Sequence, residues 1–247
     1  MRDRIMRAAG AALCATATFM PVSALAFDVN KASSNFDLVS LSDAELSARS
    51  IKTVDIGNVE LISGRIVAAD PLAQPDRQAL ARTVPAGDYP VRLYEAAGRV
   101  AAASMRFGEG RPDHWELATL AGQDVATLKD DEIFGYPVDA GLGSYMDADT
   151  LALIEEREQQ VQAQKPDSDV NYYDDVLASE LDANKGAYDL HRPVAGKKGN
   201  VAIFWSGWGD GFYPVFWGVD RDEHPLVLLT DFQVIANADG RREPSHQ

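Results

Sequence analysis

Hydrophobic positions along this chain follow two periods, and the switch between them sketches the fold. From Thr53 the period is two: Val54 and Ile56, then Val59 and Leu61, alternate with polar residues as a half-buried strand requires. Gly57, Asn58 and Gly64 read as turn or bulge positions. Residues 84–94 place a Pro-Ala-Gly turn before a strand with Tyr89, Val91 and Leu93 on one face. Residues 99–107 put Ala101, Ala103, Met105 and Phe107 on one face of the next strand. The pair reads as a hairpin with a loop longer than two residues. Trp115 falls in a further short strand and is assigned to the core.

Between residues 148 and 184 the period becomes helical. Val170, Tyr173, Val176, Leu177 and Leu181 recur at three- and four-residue intervals and make one apolar stripe. The preceding stretch, 151–165, is mostly charged, with Leu151, Ile154 and Val161 as a thin apolar edge. Pro166 and its neighbours separate two helices and cap the second. Strands return at 201–205, 212–219 and 226–235. The first and third are apolar almost throughout, as strands covered on both faces are. Their six-residue connections predict an antiparallel meander, because parallel crossovers need a dozen residues or more. The expected fold is α+β: a β-rich, mainly antiparallel single domain over 51–238, with a helical insertion at about 148–184.

The ends of the chain change the picture. Residues 27–50 form a polar, serine-rich lead-in in which Ser42 caps a short helix, and 239–247 form a flexible tail. Arg2, Arg4 and Arg7 precede an apolar run from Ala8 to about Met20, and Ala24-Leu-Ala26 offers a small-residue site. Residues 1–26 are thus expected to be a signal peptide cleaved near Ala26–Phe27, and the product to be periplasmic or secreted. The apolar run is too short for a bilayer, so no membrane span is expected. Cys14, the only cysteine, leaves with the leader. Disulfides, cysteine nucleophiles and thiolate metal sites are excluded from the mature chain. Processing removes three arginines and one aspartate, leaving 20 basic against 37 acidic residues, a net charge of −17. Such a surface repels phosphate backbones, so nucleic acid is not expected as a partner.

Candidate chemistry gathers in two glycine-rich stretches. In Ser206-Gly-Trp-Gly-Asp-Gly211 the glycines allow a tight turn that presents Trp208 and Asp210, with the ring of Tyr213 close behind. Asp210 in such a turn either binds a ligand or accepts backbone N–H bonds of its own turn. Around Phe134-Gly-Tyr-Pro-Val-Asp-Ala-Gly-Leu-Gly-Ser-Tyr-Met-Asp147, Asp139 and Asp147 are candidate metal ligands with calcium as the ion, although the spacing does not make an EF-hand loop. The alternative for Asp147 or Asp149 is a helix cap. No other cofactor is predicted. Gly-x-Ser-x-Gly, His-Glu-x-x-His and phosphate-cradling motifs are absent, and His114, His191, His224 and His246 are scattered over predicted loops and the tail.

The order of Asp70-Pro71, Val84-Pro-Ala-Gly-Asp-Tyr-Pro-Val91, the Phe134–Asp147 stretch, Ser206-Gly-Trp-Gly-Asp-Gly-Phe-Tyr-Pro214 and Thr230-Asp-Phe232 resembles a bacterial family, domain of unknown function 4241, from about residue 55 to 236. The resemblance implies a shared fold and brings no activity, substrate or catalytic residues. Two functions follow from the residues. The first is an exported binding module that holds a protein, small-molecule or glycan ligand through Trp208, Asp210, Tyr213 and Asp139. The alternative is a hydrolase of glycans or other envelope substrates, with Asp139 and Asp210 as the candidate catalytic carboxylates, metal-assisted or not.

Overall fold

The structure is a computed structural model that describes residues 27–74, 77–129, 132–184 and 187–235. The leader, Cys14, His246 and the tail lie outside the described residues. Among the described residues, twelve strands form three antiparallel sheets. The largest has the order β1 (Lys52–Leu61), β3 (Gly87–Ala96), β4 (Arg99–Arg106), β12 (Pro225–Asp231), β11 (Val215–Val219), β5 (His114–Leu117). A four-stranded sheet runs β2 (Ile66–Ala69), β7 (Leu142–Asp147), β9 (Val201–Trp205), β8 (Tyr188–His191). A short ladder joins β6 (Tyr136–Val138) to β10 (Gly211–Tyr213).

The two large sheets share one core. Val59, Leu93, Met105, Trp217 and Leu228 from the first meet Tyr145, Ala202 and Phe204 from the second, all essentially inaccessible to solvent. Each sheet is also covered on its outer face. Val67, Met146, Val201 and Ile203 are roofed by α3 (Leu151–Gln164) and α4 (Ala178–Ala183), through Ile154, Val161 and Leu181. Tyr94, Ala102, Val227 and Leu229 are roofed by the lead-in, through Leu38, Val39 and Leu46. The order of layers is lead-in, six-stranded sheet, four-stranded sheet, helices. This is the β-rich α+β architecture that the periodicity predicts, and it explains why β9 and β12 carry apolar residues on both faces.

Four local features differ from expectation. The strands at 201–205, 212–219 and 226–235 do not form one meander: β9 lies in the four-stranded sheet, β11 and β12 in the other, and Pro214 splits the middle strand into β10 and β11. The hairpin of β3 and β4 closes on two residues, because Ala97 and Gly98 both take positive φ (52° and 75°) and Ala96 pairs with Arg99. The second helix of the insertion is capped by the Asn171 side chain, 3.2 Å from Asp174 N, rather than by the segment after Pro166. It begins as a π-helical turn, Tyr173–Leu177, before α4. The fourth concerns histidines: His114 and His191 belong to strands β5 and β8, not to loops.

Candidate functional site

Five residues after β9 carry the chain from one sheet to the short ladder, and hydrogen bonds to their own atoms fix the turn. Ser206 N donates to Gly141 O at 3.1 Å, its hydroxyl donates to Gly209 O at 2.9 Å, and the Tyr213 hydroxyl donates to the same carbonyl at 3.0 Å. Gly207 has φ +66°, and a Cβ there would lie 2.7 Å from Phe232 Cβ, so only glycine fits. Arg99 then locks the tip: it donates to Gly207 O at 2.9 Å and lays its guanidinium 4.6 Å from the Trp208 ring centre.

This turn walls a groove of about 310 Å³, whose other side is Ala140, Gly141, Tyr173 and Leu181. The Trp turn and the Asp139 loop therefore meet, as the ladder requires. Its last pair is Gly211 with Val138, which places Asp210 and Asp139 at the next step of the same register. Both carboxylates are exposed, each beside a groove residue, Gly209 and Ala140. Burial, with the nearby Asp210 carboxylate, pushes the Tyr213 hydroxyl up to about 12. Tyr213 itself is fully buried, in edge contact with Phe232, so its ring packs the core beneath the turn and does not line the groove.

Asp147 is elsewhere. It ends β7, roughly 17 Å along the strand from Leu142 at 3.3 Å per residue. It is buried, and its oxygens accept from Ser63 N, the Ser63 hydroxyl, Gly64 N and Asp149 N at 2.8–3.0 Å. That is a carboxylate occupied by the backbone, in the manner of a cap. The donor groups that lie within 4.8 Å of one another among the described residues are different ones, and none contains Asp139, Asp147 or Asp210. Ser144 is buried with its hydroxyl donating to Ala69 O at 2.7 Å, while His114 lies on the edge strand of the other sheet, so these two form no nucleophile and base pair.

Two contributors were only partly legible in the chain. Asp70 is fully buried; one oxygen accepts from Leu72 N and Ala73 N, the other from Asp139 N at 3.0 Å and Ala140 N at 2.7 Å. It aims the Asp139 loop at the groove. The sequence signal was Asp-Pro, which marks a turn but not a partner seventy residues away. Trp205 is the other. It ends an apolar strand, where its ring suits either the core or a sugar face, and it is 43% exposed at the groove.

The fold and site define an antiparallel β-rich protein whose two large sheets have helix-bearing outer layers, with a surface groove walled by aromatic side chains. The chain belongs to the family described as protein of unknown function (DUF4241), whose sequence profile matches residues 59–230. No curated protein and no solved structure matches it.

Proposed function

We propose that this protein is an exported ligand-binding module, periplasmic or secreted, and that the groove beside Ser206–Gly211 holds a glycan. One observation carries the reading: of the four large apolar side chains exposed among the described residues, three (Tyr173, Trp205 and Trp208) line this single groove. An aromatic face left in water is a standing cost that a ligand can relieve, and the C–H face of a sugar ring stacks on it. Trp208 is already immobilised by Arg99, so little ordering remains to be done on binding. Asp139 and Asp210 at the rim offer acceptors to sugar hydroxyls. No described helix is long and apolar enough to cross a membrane.

The adjacent register positions of Asp139 and Asp210 favour a second reading on the same groove, a hydrolase with two carboxylates. One experiment serves both. Mature protein is titrated with neutral oligosaccharides while tryptophan fluorescence and products are followed. Binding should shift the emission, and Trp205→Ala or Trp208→Ala should weaken it at least tenfold; an emission unmoved by every oligosaccharide sinks the glycan reading. Cleavage lost in Asp139→Asn and Asp210→Asn would select the hydrolase.

A further inference from the structure

Away from the groove mouth, β8 and α4 bring three metal-ligating side chains to one point. His191 is 2% exposed, with Nδ1 2.6 Å from Glu180 Oε2 and Nε2 2.9 Å from the Tyr172 hydroxyl. Asp189, two residues earlier, lies on the same face of the strand, with its carboxylate close to that of Glu180. One donor atom from each of the three lies within 4.8 Å of the others. Among the described residues no lysine or arginine forms an ion pair with Glu180 or Asp189, although Glu180 does pair with His191. The two neighbouring carboxylates therefore have no lysine or arginine in direct contact, although the more distant Arg157 attracts Glu180.

The helix beside them is distorted in the way this cluster needs. Eight residues separate Tyr172 from Glu180, and at about 100° per residue a regular α-helix would set them roughly 80° apart. The π-helical turn Tyr173–Leu177 absorbs about one extra residue, which leaves them within roughly 20° of one another. Both then reach His191. Nδ1–H donates here to the Glu180 carboxylate; an ion that takes the place of that proton would meet the Nδ1 lone pair, leaving Nε2–H to donate to the Tyr172 oxygen, and a hydrogen bond on the far ring nitrogen is how metal-binding histidines are oriented.

We propose that Glu180, Asp189 and His191 bind a divalent first-row transition ion of the zinc or manganese class, with Tyr172 as the positioning residue. One imidazole and two carboxylates suit these ions, while calcium and magnesium prefer all-oxygen shells. Donors around such an ion stand about 3.4 Å apart, from metal–ligand distances near 2.1 Å. Glu180, 41% exposed, can swing out to that spacing. The ion would tie α4, which supplies Leu181 to the groove wall, to the four-stranded sheet.

The test uses mature full-length protein stripped with chelator and dialysed against Zn²⁺, Mn²⁺ or Ca²⁺ alone, with metal content, affinity and melting midpoint measured. One equivalent of Zn²⁺ or Mn²⁺ per chain and a raised midpoint are expected. Asp189→Asn and Glu180→Gln, both partly exposed and shape-conserving, should each weaken binding at least tenfold; Tyr172→Phe should also weaken it. His191 is buried, so His191→Ala is not relied upon. Absence of stoichiometric uptake, a loss under tenfold in both carboxylate variants, or equal affinity for Ca²⁺ overturns the site. Trp208→Ala should leave metal affinity unchanged, which separates this result from the fate of the glycan reading.

Discussion

At the scale of single residues, a carboxylate's surroundings decide its role. Asp70, Asp147 and Asp231 are all buried and each accepts several hydrogen bonds, whereas Asp139 and Asp210 are exposed, each next in the chain to a groove residue. Asp231 accepts from the Ser33 hydroxyl at 2.6 Å, Asn35 Nδ2 at 3.0 Å and Gln233 N at 2.8 Å. Asp70 gives the sharper prediction. Asp70→Ala orphans four part-buried backbone N–H groups and should cost about 3 kcal/mol by urea denaturation, less than the sum of about 1–3 kcal/mol for each fully buried donor because water reaches part-buried ones. A loss below about 1 kcal/mol would show that the Asp139 loop does not depend on it.

Elements were legible where a period ran long enough. The strands at 54–61, 87–96 and 99–106 and the helix at 151–164 all lie where alternation or helical spacing places them. The lead-in shows the limit of composition as a guide. Its polar sequence reads as an appendage, yet α2 (Asp43–Ala48) carries a complete capping box between Ser42 and Glu45 and buries Leu46 to 1% exposure against the six-stranded sheet. Phe36 also stacks on Trp115, 4.6 Å between ring centres. Leu46→Ala should therefore cost about 3 kcal/mol and Ser42→Ala about 1 kcal/mol, read as shifts in urea midpoint. If Leu46→Ala is neutral, the lead-in contributes no packing energy.

At the scale of the molecule, polar ties join the layers and set the acid response. Glu60 on β1 accepts two bonds from Arg192 and one from Gly199 N, linking the six-stranded sheet to the β8–β9 connection. The Arg192 hydrogen bonds, with that from Gly199 N, hold its carboxyl down from 4.5 to about 2. A depressed acid contributes stability that is fully present above its unfolded value, so this part is lost as pH falls from 4.5 to about 2. Asp231 has the opposite sign. Burial raises its carboxyl above 3.8, so its contribution declines as pH rises past that value. Urea midpoints measured down the acid limb should fall less steeply in Glu60→Gln and more steeply in Asp231→Asn. Parallel curves for all three proteins would discount both groups.

What the sequence determined by itself was local: where strands and helices run, the antiparallel character implied by short connections, the cap at Ser42, and the two glycine-rich loops that meet at the groove. Side-chain periodicity and turn chemistry act over a few residues, so they can be read along the chain. Only the tertiary structure decided which strands share a sheet, that Trp205 faces solvent while Tyr213 does not, and that Glu180 reaches Asp189 and His191. The physical reason is that a six-residue connection is equally able to stay in one sheet or cross to another. The choice falls to burial, which brings together the outer faces of both sheets and the segments that roof them.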